Sequence, residues 1–265
     1  MTKKALCTGI NDYPYEGNDL KGCVNDANGW ARLLIDHYDF AGPDVKLLTD
    51  SQATSGAIIA ALKDLFKGAK AGDVLVWTNS SHGTYRADTS GDETYDEALC
   101  PFDVADNLIL DDTLRELFNP LPDGVLTVVL DNCHSGTGTR AVMENDMGQP
   151  LPDERRRRFL SPALRGDPVL ENPFIAKPAQ SFPETKMNHL LIAGCRDVES
   201  SYDMKFGPLN HGALTYACLQ ILKAANYKMT YADLMKKARA MVKKWAPQTP
   251  QLEGKKVFKA RQVFA

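Results

Sequence analysis

The sequence predicts an α/β protein with a mostly parallel central sheet, and two observations lead to this fold class. Short apolar segments at residues 4–10, 45–48 and 74–78 alternate with helical patterns. This β-α-β-α-β order requires crossover connections and therefore favours a parallel sheet. A further aliphatic run at residues 125–130 suits a strand that is buried on both faces, and it ends in a polar, glycine-containing turn.

The first half of the chain supplies two helices between these strands. Asn25 or Asp26 is a suitable cap for a helix that runs to about Tyr38, with its apolar residues at helical spacing. Thr54 is expected to begin a second helix. The apolar face of that helix comprises Ile58, Ile59, Leu62, Leu65 and Phe66.

The middle of the chain is less regular. Residues 84–106 are acidic and lack clear periodicity, which indicates a hairpin or a loop. Asp111 or Asp112 is expected to cap a short helix that ends near Phe118. Residues 137–187 are expected to be irregular, because seven of the 15 prolines fall between Pro150 and Pro183.

The last part of the chain returns to regular structure. Residues 190–193 are expected to form a strand, residues 212–225 and 231–244 to form helices, and residues 255–258 to form an edge strand. The length of 265 residues suits one large α/β domain or two small ones.

Composition excludes several classes of function. The net charge of −3 gives no indication of nucleic-acid binding, and we find no apolar run of about 18 residues for a membrane span. Residues 1–4 lead into a strand-like segment without a long apolar stretch, so we expect no secretory signal. The six cysteines are scattered without paired zinc spacing, which favours a reducing cytoplasm.

The reactive groups of this sequence follow two apolar strands. Cys133 lies three residues after the 125–130 run and is expected at the rim of the sheet, open to solvent. A free cysteine is mostly thiol at neutral pH and needs a base to become a nucleophile. His82 follows the 74–78 strand in the same way, so two neighbouring strands would bring the pair together. The alternative is a buried cysteine and an unrelated polar histidine.

Residues 131–136 have the sequence DNCHSG. This segment resembles the D-x-C-H-S-G signature of the metacaspases and their bacterial relatives. Further agreement, in the same order along the chain, comes from residues 5–11, 20–27, 91–103, 107–112 and 194–197. The resemblance covers most of the chain apart from residues near 140–187.

This resemblance implies a caspase-like three-layer sandwich whose sheet has helices on both faces. It implies a single domain of residues 1–265. Residues 1–136 would resemble a large subunit with His82 and Cys133, residues 137–187 an irregular loop rich in proline and arginine, and residues 188–265 a small subunit.

The resemblance also implies a cysteine endopeptidase. Cys133 would attack the scissile carbonyl, and His82 would assist proton transfer to the leaving amine. The backbone N–H groups of Gly83 and Cys133 would form the oxyanion hole. The family usually has glycine just before this histidine, whereas this chain has Ser81.

The family pattern assigns four residues to the pocket for the residue before the cleaved bond. These are Cys23, Asp26, Ser80 and Asp131. Two carboxylates in a partly desolvated slot favour a cation, especially the forked guanidinium of arginine. We therefore expect peptide or protein substrates that are cleaved after arginine or lysine. A helix cap for Asp26 and a loop acceptor for Asp131 are the structural alternatives.

No cofactor is required for this chemistry, although calcium is a candidate activator. Asp96, Asp111 and Asp112 resemble acidic positions of calcium-activated metacaspases, and Asp92 lies near them. Solvated acidic surface is the alternative. Arg140 stands where the family has a further acid, so calcium dependence stays open.

An enzyme that cleaves after arginine has candidate sites within its own chain. The basic stretch of Arg155, Arg156, Arg157 and Arg158 is expected to be an exposed loop, where nicking concentrates. Lys177 and Lys186 are further candidates for self-cleavage.

Other interpretations of these residues stay open at this point. One is a catalytically silent relative that acts as a binding module, and another is a different thiol enzyme, such as an amidase or acyltransferase. Zinc binding through His82, Cys133 and His134 lacks a fourth ligand. We expect His134 and Ser135 to shape the loop. Cys7, Cys100, Cys195 and Cys218 are expected as core or loop thiols, and Asp197, Glu199 and Asp203 as groove or loop residues.

Overall fold

The structure is a computed structural model that describes residues 1–87, 95–133, 155–169, 184–197 and 199–265. Its strands in chain order are β1 (Lys3–Gly9), β2 (Val45–Thr49), β3 (Val74–Ser80), β4 (Gly83–Ala87), β5 (Tyr95–Leu99), β6 (Ile109–Leu110), β7 (Leu126–Asp131), β8 (Arg156–Arg157), β9 (Leu190–Ala193), β10 (Tyr202–Phe206), β11 (Leu209–Gly212) and β12 (Gln251–Glu253). Its α-helices are α1 (Cys23–His37), α2 (Ser55–Phe66), α3 (Asp111–Phe118), α4 (Ala213–Ala224), α5 (Tyr231–Val242) and α6 (Lys256–Lys259).

A six-stranded sheet forms the centre of the molecule in the order β12-β9-β7-β3-β1-β2. Every pairing in it is parallel except the edge pair of β12 with β9. The sheet takes strands from both ends of the chain, and the predicted division into large-subunit-like and small-subunit-like parts stays a prediction. Two smaller sheets, β11-β10-β8 and β4-β5-β6, accompany it.

Helices cover both faces of the central sheet, which confirms the predicted layers. Successive residues of β7 belong to different cores, because side chains alternate along a strand. Val129 belongs to the cluster that contains residues of α1, α4 and α5. Val128 belongs to the cluster that contains residues of α2 and α3. The sheet is therefore a buried middle layer.

Several element boundaries agree with the sequence, and others differ. Thr54 caps α2 as predicted, because its hydroxyl accepts a hydrogen bond from the amide of Ala57. The expected edge strand at residues 255–258 is wrong. Residues 256–259 form α6, which buries Phe258 and leaves Val257 60% exposed, and the edge strand is β12. A run of only two apolar residues does not distinguish a strand from a helical turn.

The predicted caps of α1 and α3 are also wrong. Helix α1 begins at Cys23 with Gly22 before it, so Asp26 lies inside the first turn. Helix α3 begins at Asp111, and Leu110 holds the cap position. Asp112 instead lies 2.6 Å from the guanidinium of Arg115, one turn later in the same helix.

Candidate active site

The carboxyl ends of β3 and β7 bring the two predicted reactive segments to the same rim of the sheet. These strands are parallel neighbours, and their last aligned pair is Ser80 with Asp131. His82 and Cys133 each follow two residues later. The register of β3 and β7 therefore places His82 and Cys133 at equivalent positions beyond the same edge of the sheet, as the positions of the two apolar segments predicted.

Two backbone amides at this rim converge on one carbonyl oxygen. The N–H of Gly83 donates to the carbonyl oxygen of Arg158 over 2.9 Å, and the N–H of Cys133 donates to the same oxygen over 3.3 Å. These are the two amides that the sequence analysis assigned to the oxyanion hole. A pair of fixed donors aimed at one oxygen is the arrangement that stabilises negative charge on a carbonyl during acyl transfer.

His82 is buried and held in one orientation. Its Nε2 lies 2.7 Å from the carbonyl oxygen of Asn18. Because a carbonyl only accepts, Nε2 carries the proton and Nδ1 is the basic nitrogen of the neutral ring. Nδ1 has no hydrogen-bond partner among the described residues. Burial, chiefly, lowers the pKa of His82 to about 4, so the ring is neutral at pH 7.

Tyr13 packs against His82 from the side of the first loop. The ring centroids of the two residues are 4.6 Å apart. The tyrosine hydroxyl accepts a hydrogen bond of 2.9 Å from the His82 amide and lies 3.2 Å from the carbonyl oxygen of Cys100. These contacts fix both the ring and the backbone of His82.

Cys133 is only 1% exposed, so the expectation of a cysteine open to solvent is wrong. The physical reason is that a segment of the same chain, residues 156–160, lies across the rim and brings the Arg158 carbonyl to the Cys133 amide. Burial, chiefly, raises the pKa of the Cys133 thiol to about 12. The residue nevertheless lines a cavity of about 540 Å³, together with Asn132 and Cys195.

The side chain of Arg158 lies between the two carboxylates predicted to form the specificity pocket. Its Nη2 is 2.7 Å from Oδ2 of Asp26. Its Nη1 donates to the carbonyl oxygen of Asp131 over 2.7 Å and lies 3.4 Å from Oδ1 of the same residue. All three side chains are essentially inaccessible to solvent, with exposures of 0 to 1%. A guanidinium of the chain itself therefore lies between the two carboxylates.

The expectation of an exposed arginine loop is therefore wrong for Arg158. Arg155 and Arg157 are half-buried, and Arg156 is exposed. Arg158 is buried because β8 pairs with β10 and because its guanidinium contacts carboxylates that compensate for its burial. Lys186 is exposed in a short 3-10 turn, and Lys177 lies outside the described residues.

The other two predicted pocket residues, Cys23 and Ser80, are also buried. The amide of Cys23 donates to Oδ1 of Asn11 over 2.9 Å at the start of α1. Burial raises the pKa of Cys23 well above its usual value, whereas the nearby charge of Arg158 opposes that shift. Ser80 ends β3 in register with Asp131.

Sequence reasoning missed several groups that hold the pocket carboxylates. The hydroxyl of Ser201 donates to Oδ1 of Asp131 over 2.8 Å, and its carbonyl accepts from the Arg158 amide over 2.9 Å. Nδ1 of His211 lies 2.9 Å from Oδ1 of Asp26. The amide of Gly212 donates to Oδ2 of Asp26 over 3.0 Å.

These contacts carried no local sequence signal, because most of the partners lie 70 or more residues from the carboxylates that they contact. Asp203, which was expected as a groove or loop residue, accepts hydrogen bonds from the amides of Lys21 and Gly22 over 2.7 and 2.9 Å. Glu199 instead pairs with Arg196.

The described members of the proposed calcium set lie beside arginines, and activation by calcium stays a prediction. Asp96 lies 3.5 Å from Arg86, and Asp111 and Asp112 lie 3.7 and 2.6 Å from Arg115. Within the described parts of the chain, no group of three His, Cys, Asp or Glu side chains is arranged to hold a metal. Asp92, His134 and Ser135 lie outside the described residues.

The sheet order, the helices on both faces and the polar rim define a caspase-like α/β fold. A similar fold is seen in the Drosophila initiator caspase Dronc, with a TM-score of 0.58, 11% identity, and coverage of 99% of this chain and 82% of that chain. A solved protein from Geobacter sulfurreducens is more similar, with a TM-score of 0.73, 26% identity, and coverage of 100% and 99%.

The family follows from the sequence comparisons. The model for the metacaspase, peptidase C14 domain, matches residues 3–141. Metacaspase-1 of Scheffersomyces stipitis is 30% identical over 94% of this chain and 70% of its own length. The chain belongs to the metacaspase family of cysteine peptidases. It spans 61–70% of the length of the first three fungal relatives that it matches.

In the parts of the chain that the structure covers, no helix combines the length and the apolar character needed to cross a membrane.

Proposed function

We propose that the protein is a cysteine endopeptidase that cleaves peptide bonds after arginine or lysine, and that its first substrate is its own Arg158–Phe159 bond. Peptide or protein segments with basic residues are the proposed substrates. The cytoplasmic location stays a proposal, which is supported by six free cysteines.

The position of Arg158 is the observation that carries this proposal. Its side chain lies between Asp26 and Asp131, while its carbonyl oxygen accepts from the amides of Gly83 and Cys133. A substrate that is cleaved after arginine needs two contacts. The basic side chain must bind an acidic pocket, and the carbonyl oxygen of the same residue must lie between two amide donors. Among the candidate self-cleavage sites, Arg158 is therefore the one that the contacts favour.

The proposed chemistry begins at the Cys133 sulfur. The thiol transfers its proton to Nδ1 of His82 while the sulfur attacks the carbonyl carbon of Arg158. The oxygen becomes an oxyanion between the amides of Gly83 and Cys133. Collapse of this intermediate breaks the bond to the nitrogen of Phe159, and the imidazolium of His82 returns the proton to that amine. Water then hydrolyses the thioester and regenerates the thiol.

The neutral state of His82 suits this first step. Burial keeps the ring unprotonated at neutral pH, and the Asn18 carbonyl leaves Nδ1 as the basic nitrogen. Cys133 is a thiol in the same covered state, because burial raises its pKa to about 12. Proton transfer from a neutral thiol to a neutral imidazole therefore accompanies the attack.

The pocket chemistry favours arginine over lysine. A guanidinium reaches Asp26 and the Asp131 carbonyl with separate N–H groups, both over 2.7 Å. A lysine ammonium is a single point charge and does not reproduce this fork. We therefore propose cleavage after both residues, with the higher specificity constant for arginine.

A fluorogenic assay tests this function directly. Peptidyl substrates that end in Arg, Lys or Asp are compared on the wild-type protein and on Cys133→Ala. We expect turnover after Arg and Lys that Cys133→Ala abolishes, and we expect fragments of residues 1–158 and 159–265 from the wild type alone. A preference for Asp would contradict the pocket assignment. Absence of all turnover and all self-cleavage would instead favour a catalytically silent binding module.

A further inference from the structure

The chain beyond Arg158 continues along the rim of the sheet. Gly83, whose amide donates to the Arg158 carbonyl, also accepts a hydrogen bond of 2.9 Å from the amide of Leu160. Gly83 and Phe159 thereby form a parallel bridge. Arg158 and Leu160, which flank Phe159, are therefore both hydrogen-bonded to Gly83, the first residue of β4.

The side chain of Phe159 lies beside an aromatic residue of the same strand. Its ring centroid is 6.1 Å from that of Tyr85, and the ring planes are inclined by 27°. Tyr85 is 1% exposed, and its ring lies edge-on to that of Tyr95 at 5.7 Å. Since Tyr85 follows Gly83 by two positions in β4, both lie on one face of the strand. This face offers a rigid aromatic surface to the residue after the cut.

The next side chain, that of Leu160, is fully buried at 0% exposure. It belongs to the same apolar cluster as Leu99, Cys100 and Val104. An apolar site of this kind discriminates against charged residues, because a charge would lose its water without gaining a partner. A small residue would leave part of the site unfilled.

We propose that the side of the cleft beyond the cleaved bond is a binding site for an aromatic residue followed by a large aliphatic residue, with Tyr85 as the specificity-determining residue for the first of them. The inference rests on the proposed function and specifies its substrate class. Preferred protein substrates carry arginine, then an aromatic residue, then leucine or a similar side chain. The Arg158-Phe159-Leu160 segment of the chain itself has this order.

Internally quenched peptides that differ only after the cleaved arginine test this specificity. One peptide continues with Phe-Leu, a second with Gly-Gly and a third with Phe-Asp, and kcat/KM is measured for each. We expect the Phe-Leu peptide to exceed each of the others by about tenfold or more, since apolar pockets discriminate single groups by roughly 10- to 200-fold. A peptidyl aminocoumarin ending in Arg, which has no residue beyond the bond, reports the proposed function separately.

Variants at Tyr85 link the preference to this site. In Tyr85→Phe, which keeps the ring, we expect the Phe-Leu to Gly-Gly ratio to persist, and in Tyr85→Ala we expect it to fall several-fold. The ratio is taken within each variant, so a general loss of activity cancels. In the chain itself, Phe159→Tyr should self-cleave at nearly the wild-type rate and Phe159→Gly more slowly.

The outcomes separate the two proposals. Equal kcat/KM for the three peptides, on an enzyme that turns over the aminocoumarin, would overturn this inference and leave the proposed function intact. No turnover of any substrate would overturn both. A full Phe-Leu preference that survives Tyr85→Ala would remove Tyr85 from the assignment.

Discussion

Replacement of Arg158 is the most direct perturbation of the proposed self-cleavage. In Arg158→Ala the segment keeps its backbone but loses the guanidinium that contacts Asp26 and Asp131. The matched control is Arg157→Ala, which removes the neighbouring arginine of the same strand. We expect the first variant to lose cleavage between residues 158 and 159, and we expect the second to retain it.

The expected magnitude follows from the contacts. Arg158 makes two charge-assisted hydrogen bonds of 2.7 Å in the pocket, to Asp26 and to the Asp131 carbonyl. Hydrogen bonds to charged groups contribute about 1.5–3 kcal/mol each, so their loss removes about 3–6 kcal/mol. Since each 1.4 kcal/mol is a factor of ten, self-cleavage should slow by roughly 10²- to 10⁴-fold. Arg158→Lys keeps the charge without the fork and should show an intermediate rate.

Folding of the variant is an explicit control. Removal of one partner of a buried ion pair typically costs about 3–5 kcal/mol, because the remaining charge is left without compensation. If residues 156–160 leave the cleft in this variant, water reaches both carboxylates and the loss is smaller. Thermal unfolding of Arg158→Ala and Cys133→Ala, compared side by side, measures it.

The assay follows freshly translated protein over time and identifies fragments by intact mass. Cleavage within one molecule gives a rate that does not change with protein concentration, and this is the expected result. The reasoning would be refuted if Arg158→Ala yielded the 1–158 and 159–265 fragments at the wild-type rate. Loss of the same fragments in folded Arg157→Ala would refute it equally.

Three further predictions concern pH and stability. His82 has a pKa of about 4 when residues 156–160 cover it, so self-cleavage should persist down to nearly that pH. Cleavage of added peptides should decline at a higher pH, because departure of residues 156–160 admits water and returns the pKa of His82 toward 6.5. Identical loss of both activities on the acid side of their pH profiles would contradict this. Burial also lowers the pKa of His189 to about 4, and the unfolded chain takes up that proton near pH 6.5. Stability should therefore be complete above pH 6.5 and fall toward pH 4, and in His189→Gln the fall in thermal midpoint should be smaller; an unchanged fall would exclude His189 as a cause. Thr230 accepts a hydrogen bond of 3.1 Å from the Asp233 amide at the start of α5, so Thr230→Ala should lower the free energy of unfolding by about 1 kcal/mol in urea titrations, and Thr230→Ser should not.

The parts of the fold that the sequence predicted are those with a local signal. Strands β3 and β7 are apolar runs that end in polar turns, and their parallel pairing brought His82 and Cys133 to one rim. Thr54 capped α2 because a cap needs only the next turn of helix. Such features are determined within a few residues of the chain.

The burial of Arg158 depends on contacts that no local pattern encodes. It pairs with Asp26 and Asp131, which lie 132 and 27 residues away. Four consecutive arginines are chemically equivalent in the sequence, and only the register of β8 against β10 selects the one that enters the pocket. The exposure of Cys133 was mispredicted for the same reason.

Gly212 shows how little room separates the two carboxylates. Its backbone angles, φ −65° and ψ 140°, suit any residue, so glycine is not required there for conformational freedom. A methyl group at this position would instead lie 2.1 Å from Oδ2 of Asp131 and 2.5 Å from Nη1 of Arg158. Even alanine would force apart the charges that grip the guanidinium. The contacts of Arg158 with Asp26 and Asp131 thus depend on the absence of a side chain at position 212.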